Sequence, residues 1–263
     1  MTIRVTEENS VRRIALDRPD RRNAVDAKTL TLLREALESA AADPAVRVVV
    51  LAGEGRTFCS GGDLGVDDPF DPAATARTLD AATGLVSAIR AAPRPVVAEL
   101  RGPAIGVGVS IALAADIAVA RADSYLRTPF TAVGLMPDGG ATALVAAAAG
   151  RSVAMRLFAL GAKIGAHEAE RHGLVAAAFA VDTFDAEFAA VVATLRDSSL
   201  DAFARTKHAV HAATLPHLEA AFAREREGQL ALAGGPDFRE AIAAFAAERP
   251  PLFHRPAGTG PLT

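Results

Sequence analysis

The chain has no tryptophan, a single tyrosine and a single cysteine, Cys59. One cysteine excludes an internal disulfide and fits a reducing compartment. Twenty-eight lysines and arginines stand against 31 aspartates and glutamates, a formal net charge of −3. There is no basic excess, which argues against nucleic acid as the main partner. Gly, Pro or Asp interrupts every apolar stretch before the ~18 residues a membrane span needs. Met1–Glu8 carries charges where a signal peptide needs an apolar run. Neither a Gly-x-Gly-x-x-Gly dinucleotide fingerprint nor a Gly-Lys-Ser/Thr phosphate loop is present. The chain reads as soluble and cytoplasmic, with no nucleic acid and no membrane among its partners.

What is there suffices for a large core: 263 residues, 51% of them hydrophobic. Ile3–Thr6 and Val11–Leu16 read as strands joined by a polar turn over residues 7–10. Asp26 is placed to cap a helix over Ala27–Ala42 with Leu30, Leu33 and Leu37 on one face. Val46–Leu51 reads as a buried strand: Val48-Val49-Val50-Leu51 is continuously apolar, as in a sheet covered on both sides. A helix is expected over 73–91, a strand over 95–100, and short strands over 117–121, 124–127 and 174–178. Further helices are expected over 141–149, 152–160, 166–172, 182–196, 198–211, 216–232 and 236–247. Alternating β and α followed by helices predicts an α/β core over residues 1–196 and a helical C-terminal region over 197–263.

The most informative stretch is Arg101–Asp116. A Gly-Pro turn leads into Gly106-Val107-Gly108 and then a run of small apolar residues. Such a run suits a buried helix, whose N-terminus presents free N–H groups and partial positive charge. That end suits an anion, or an oxygen that becomes one during reaction. The alternative is that Gly106 and Gly108 serve only close packing of backbone.

Three further stretches join it in order: Arg18–Ala24, then Gly55–Leu64 with Phe58-Cys59-Ser60-Gly61-Gly62-Asp63, and Gly134–Gly140 with Met136-Pro137-Asp138-Gly139-Gly140. Together the four resemble the crotonase family, also called the enoyl-CoA hydratase/isomerase family, over nearly the whole chain. The resemblance implies a β-β-α spiral core and a C-terminal helical region used in trimerisation, giving a homotrimer or a dimer of trimers. It implies an acyl-CoA thioester as substrate, with coenzyme A as part of that substrate and no other cofactor or metal. By motif position, the backbone N–H groups of Gly62 and Val107 would hold the thioester oxygen. Asp20, Arg21, Arg22 and Ala24 match the CoA loop, where both arginines suit phosphate. Ser60 and Asp63 are grouped with them, although Asp63 reads first as a structural residue holding its loop. Val107 fills a slot that is often glycine, and its isopropyl group is expected to narrow the acyl pocket.

Members that hydrate double bonds use two glutamates. The matching positions here are Ser110 and Phe130. Neither is an acid, and phenylalanine transfers no proton. Asp138 is the acid nearest in sequence. One carboxylate suffices to move a double bond, and an apolar pocket would raise its pKa usefully. Asp138 is equally placed to cap the helix after Gly139-Gly140. The expected activity is therefore double-bond isomerisation of an enoyl-CoA. Hydration by a non-standard acid/base and non-catalytic acyl-CoA binding are the alternatives.

The remaining chemistry-bearing residues are assigned structural roles. Asp67, Asp68 and Asp71 read as a solvated charge run, Glu99 as a strand-end contact and Cys59 as packing. His208 and His211 share a helix face without an evident third ligand. Arg205, Lys207, Arg224 and Arg226 read as solvated helix faces, with CoA phosphates as the alternative partner.

Overall fold

The computed structural model describes residues 2–63, 65 and 68–253. Leu64, Asp67, His254 and the Pro- and Gly-rich tail lie outside the described residues.

Strands β1 (Ile3–Glu8) and β2 (Val11–Leu16) form an antiparallel hairpin. Its turn is only Asn9-Ser10, both at positive φ, so the expected four-residue turn is two residues. The sheet continues in parallel through β3 (Val48–Gly53) and β4 (Val96–Leu100). Helix α1 (Ala27–Ala42) connects β2 to β3 and α2 (Pro72–Ala91) connects β3 to β4, and the two helices pack on each other. Asp26 caps α1 as expected, accepting the Thr29 N–H at 2.7 Å.

The continuous apolar run is explained by the two faces of β3. Val49 and Leu51 enter the main core with α1 and α2. Val48, Val50 and Ala52 enter a second core with Phe184, Phe188 and Val192. Alternation along a strand sends neighbours to opposite faces, and here both faces are covered.

After β4 comes the two-residue strand β5 (Ala104–Ile105), then α3 (Val107–Ala114), β6 (Ile117–Arg121) and β7 (Tyr125–Arg127). A 3₁₀ turn at Thr131–Val133 precedes α4 (Ala141–Leu160). Then follow β8 (Ile164–Gly165), α5 (Ala166–Arg171), β9 (Ala177–Phe179) and α6 (Phe184–Arg196). The first sheet has the order β1-β2-β3-β4-β6-β9, and β5, β7 and β8 make a second one. The strand expected over 174–178 begins three residues late, at Ala177: the Leu174 N–H turns back to the Ala169 carbonyl, and the Ala176 N–H is the first to reach β6, at the Ala118 carbonyl. β5 and β8 have too few residues for a periodic signal.

The expected helices over 141–149 and 152–160 meet at Gly150, whose φ of 76° and ψ of 166° are non-helical, so α4 is two helical segments joined at a kink. By length and composition α4 is apolar enough to cross a bilayer, contrary to the expectation that no segment is. Its buried face, including Leu144, Val145, Leu157 and Phe158, packs into the main core.

The chain ends in α7 (Leu200–Thr214), α8 (Leu218–Ala233) and α9 (Pro236–Ala246). Helix α8 packs on α2 and α4, and α9 on Thr131–Val133. The reading of Lys207 as a solvated residue is corrected: its Nζ is buried, donating to Asp116 Oδ2 and the Ile89 carbonyl, both at 2.9 Å. No local signal marks Asp116 as the partner, because it lies 91 residues away.

Candidate active site

The site is built on three loop crossings. In the first, Asn23 sits fully buried at positive φ. It accepts the Arg18 N–H and donates to the carbonyls of Glu54 (2.9 Å) and Thr57 (2.6 Å). One side chain thus ties the loop over 18–24 to the glycine-rich loop. Arg18 makes the second tie, donating to the Ala24 carbonyl (2.6 Å) and to Asp63 Oδ2 (2.7 Å). Asp63 also accepts the Gly65 N–H, so it holds its loop as expected. Asp20, Arg21 and Arg22 are exposed at the rim. The Ser60 hydroxyl reaches the Arg21 carbonyl at 3.5 Å.

In the second crossing, Gly62 forms a parallel bridge with Val25. The flanking residues make the bonds: Val25 N–H to the Gly61 carbonyl, and Asp63 N–H to the Val25 carbonyl. The Gly62 N–H therefore points the other way, and it has no hydrogen bond among the described residues.

In the third, Cys59 bridges Ala104 and fixes the start of α3 beside this loop. Gly106, the N-cap, has φ 57° and ψ −127°, a conformation that favours glycine. A Cβ on Gly108 would lie 2.8 Å from Cys59 Cβ and the Cys59 carbonyl oxygen. Both readings of these glycines therefore hold: Gly108 allows backbone approach, and Gly106 brings the helix N-terminus to an open space. The Val107 N–H, first in α3, has no hydrogen bond among the described residues.

That space is a cavity of about 270 Å³ lined by Gly61, Gly62, Gly106, Phe130, Asp138 and Gln229 among others. Its surface is mostly apolar, with Leu79, Val133, Leu135 and Phe238 contributing. The Val107 side chain is not on the wall, so the expected narrowing of the pocket does not occur there. Val107 Cγ2 instead points toward Gly139.

Of the two glutamate-slot residues, Phe130 lines the cavity and Ser110 does not. Ser110 is fully buried and donates its hydroxyl to the Asp138 carbonyl at 2.7 Å. The capping alternative for Asp138 is overturned. The N-cap of α4 is Gly140, and the orphan N–H groups go to Glu225 of α8: Gly140 N–H at 2.6 Å, Thr142 N–H at 2.8 Å and Thr142 Oγ1 at 2.5 Å. Asp138 lines the cavity instead. Its Oδ2 accepts from Gln229 Nε2 at 3.1 Å, and its Oδ1 is shielded from water and unpartnered. The residue keeps some surface on the cavity, but the shielded carboxylate is desolvated. Its pKa is pushed up to about 7, first by burial and then by the Glu225 charge, against the Gln229 hydrogen bond.

Arg18, Asn23, Glu225 and Gln229 were not singled out from sequence. Asn23 and Arg18 sit within a recognised motif, but Glu225 and Gln229 lie about 90 residues from their partners on an unremarkable helix. Burial raises the Cys59 thiol to about 12, consistent with packing and not with a nucleophile. Asp68 lines the cavity and accepts the Phe70 N–H. Asp71 caps α2 through the Ala73 and Ala74 N–H groups, so it is not merely a solvated charge. Glu99 pairs with Arg13 and Arg101. Burial and the charges of Arg90 and Lys207 hold the His211 pKa down at about 4. No group of three His, Cys, Asp and Glu able to hold a metal occurs among the described residues.

These features match known proteins over most of their length. A model described as enoyl-CoA hydratase/isomerase matches residues 6–256. The chain is 38% identical to a probable enoyl-CoA hydratase of Rhodobacter capsulatus, covering 96% of this chain and 97% of that one. It is 31% identical to the 1,2-epoxyphenylacetyl-CoA isomerase of Escherichia coli, covering 94% and 95%. The crystal structure of an enoyl-CoA hydratase from Mycobacterium avium subsp. paratuberculosis superposes with a TM-score of 0.89 at 42% identity, covering 97% of this chain and 99% of that one. The chain therefore belongs to the enoyl-CoA hydratase/isomerase, or crotonase, family.

Proposed function

We propose that this protein moves the double bond of an enoyl-CoA thioester, with Asp138 as the proton carrier. The observation that carries this reading is the single desolvated carboxylate on the cavity wall whose Oδ1 has no protein partner. The thioester oxygen sits on the N–H groups of Gly62 and Val107. Two such donors in a dry pocket are worth about 3–4 kcal/mol each to a developing enolate. Asp138 takes a proton from the α carbon, the electron pair moves onto the thioester oxygen, and the proton returns at the γ carbon. A base with a pKa of about 7 can both accept and return a proton near neutral pH. Arg21 and Arg22 contact the CoA phosphates at the cavity rim, beside Asp20, Ala24 and Ser60. The protein assembles as a homotrimer or a dimer of trimers, a reading supported by the exposed apolar Val210, Leu232 and Phe245 on α7, α8 and α9.

The test compares 3-enoyl-CoA and 2-enoyl-CoA as substrates of wild type and Asp138→Asn. Wild type should convert the former to the latter, and the variant should lose about 10²–10⁴-fold of that rate. Unchanged isomerisation in the variant overturns the reading. Hydration is the second reading, favoured by relatives named as hydratases, such as that of R. capsulatus. Hydration of crotonyl-CoA well above background would select it. Tight acyl-CoA binding without turnover would select a binder.

A further inference from the structure

Helix α8 buries two polar or charged side chains, Glu225 and Gln229, and both reach the segment leading into α4. Glu225 and Gln229 stand four residues apart and so share a helix face. Burying a carboxylate and an amide is unfavourable unless their hydrogen-bonding capacity is used. Glu225 uses its capacity fully on the first turn of α4, with three bonds of 2.5–2.8 Å. Gln229 uses only its amide N–H, on Asp138 Oδ2, and its Oε1 is buried without a partner. The fit of α8 to this segment is close: Gly228 carries no side chain where a Cβ would meet Met136 Sδ, and Gly140 meets Phe222.

We propose that Gln229 is a positioning residue for Asp138, and that Glu225 sets the electrostatic field in which Asp138 works. Gln229 holds Oδ2 and so fixes the rotation of the carboxylate. The carboxylate so held forms the O–H bond as the substrate C–H bond breaks. It releases the same proton when the new C–H bond forms. The only covalent changes are these two proton transfers and the shift of the double bond. Glu225 locks the main chain on the C-terminal side of Asp138 by capping α4, while Ser110 locks the Asp138 carbonyl. Asp138 is thus held at three places, by Gln229, Glu225 and Ser110.

The two α8 residues act on Asp138 in opposite directions. The Gln229 N–H favours the ionised carboxylate, and the Glu225 charge disfavours it. Burial itself raises the Glu225 pKa, while its hydrogen bonds from Thr142 and Gly140 oppose that. The other carboxylates on the cavity are Asp26, Asp63 and Asp68, and each has its own N–H or arginine partner.

This inference rests on Asp138 being the proton carrier, and its test separates the two claims. The Asp138 carboxyl is titrated directly by ¹³C NMR in wild type, Gln229→Leu and Glu225→Gln, and the pH profile of kcat is measured in parallel. Gln229→Leu should move the midpoint up and lower kcat about tenfold with KM little changed, as expected for loss of one charge-assisted hydrogen bond. Glu225→Gln should move the midpoint down. The acid limb of kcat should follow each midpoint. A purely structural role for α8 would leave both midpoints in place or move them together, and either result overturns the proposal. If Glu225→Gln fails to fold, an unmoved midpoint in Gln229→Leu is sufficient to overturn it. If the midpoints move as expected but Asp138→Asn keeps full isomerase activity, the positioning stands and the functional reading falls.

Discussion

Ser110 donates its hydroxyl to the main-chain carbonyl of Asp138 at 2.7 Å, across 28 residues of sequence. The position that corresponds by motif to a hydratase glutamate therefore anchors one of the acids on the cavity wall. Ser110 is one turn beyond Val107 on α3, so this bond joins Asp138 to the helix whose N-terminus meets the cavity.

Ser110→Ala should remove one of two donors to the Asp138 carbonyl, which also accepts the Ala141 N–H at 3.2 Å. A loss of about 0.5–1.5 kcal/mol of stability is expected, read as a lower Tm by calorimetry. Ser110→Glu should be far worse, because Gly139 packs directly on the Ser110 side chain. Restoring a glutamate at this one position should give an unstable protein and no hydratase.

The folded-state pKa of Asp138, about 7, lies above its ordinary value of 3.8. The folded chain therefore binds more protons than the unfolded one between those values, and stability falls as pH rises through that window. Asp138→Asn removes the effect. Its stability advantage over wild type should be small at pH 4, grow toward pH 7 to at most about 4 kcal/mol, and then level off. Denaturant titrations across pH 4–8 measure this; an advantage independent of pH would contradict it.

Lys207 and Asp116 form a buried pair at 2.9 Å, and Asp116 also accepts the Val96 N–H. Lys207→Met should cost about 3–5 kcal/mol by stranding the Asp116 charge. Adding Asp116→Asn to that variant should recover a large part of the loss. Urea midpoints of the single and double variants decide the matter.

Arg21 and Arg22 are exposed at the rim. If they meet CoA phosphates, Arg22→Ala should raise KM several-fold for a CoA thioester at low salt. KM for the matching N-acetylcysteamine thioester, which lacks those phosphates, should stay unchanged. Equal effects on both substrates would remove Arg22 from the CoA site.

Much of the fold was legible because its signals are local. The Asp26 cap, the two-faced apolar run of β3 and the Gly150 break each depend on neighbouring residues. So does the opening at Gly106, where a turn into small apolar residues marks a helix start. Strands of two residues carry no periodicity, so β5 and β8 were missed. For Lys207, an exposed-looking position on α7 gave no hint of a partner on another element.

The sequence by itself determined the family, the α/β order and the loops that bring Gly62 and Val107 to one place. Those features are written in glycines, prolines and apolar periodicity, which act over a few residues. Tertiary structure alone decided that Asp138 does not cap α4. From sequence it was cap or base with equal claim. The fold supplies Glu225 as the cap from α8, and this frees the Asp138 carboxylate to face the cavity. That choice was closed to sequence reasoning because the group that fills the capping role lies 85 residues away and meets α4 only when α8 packs on it.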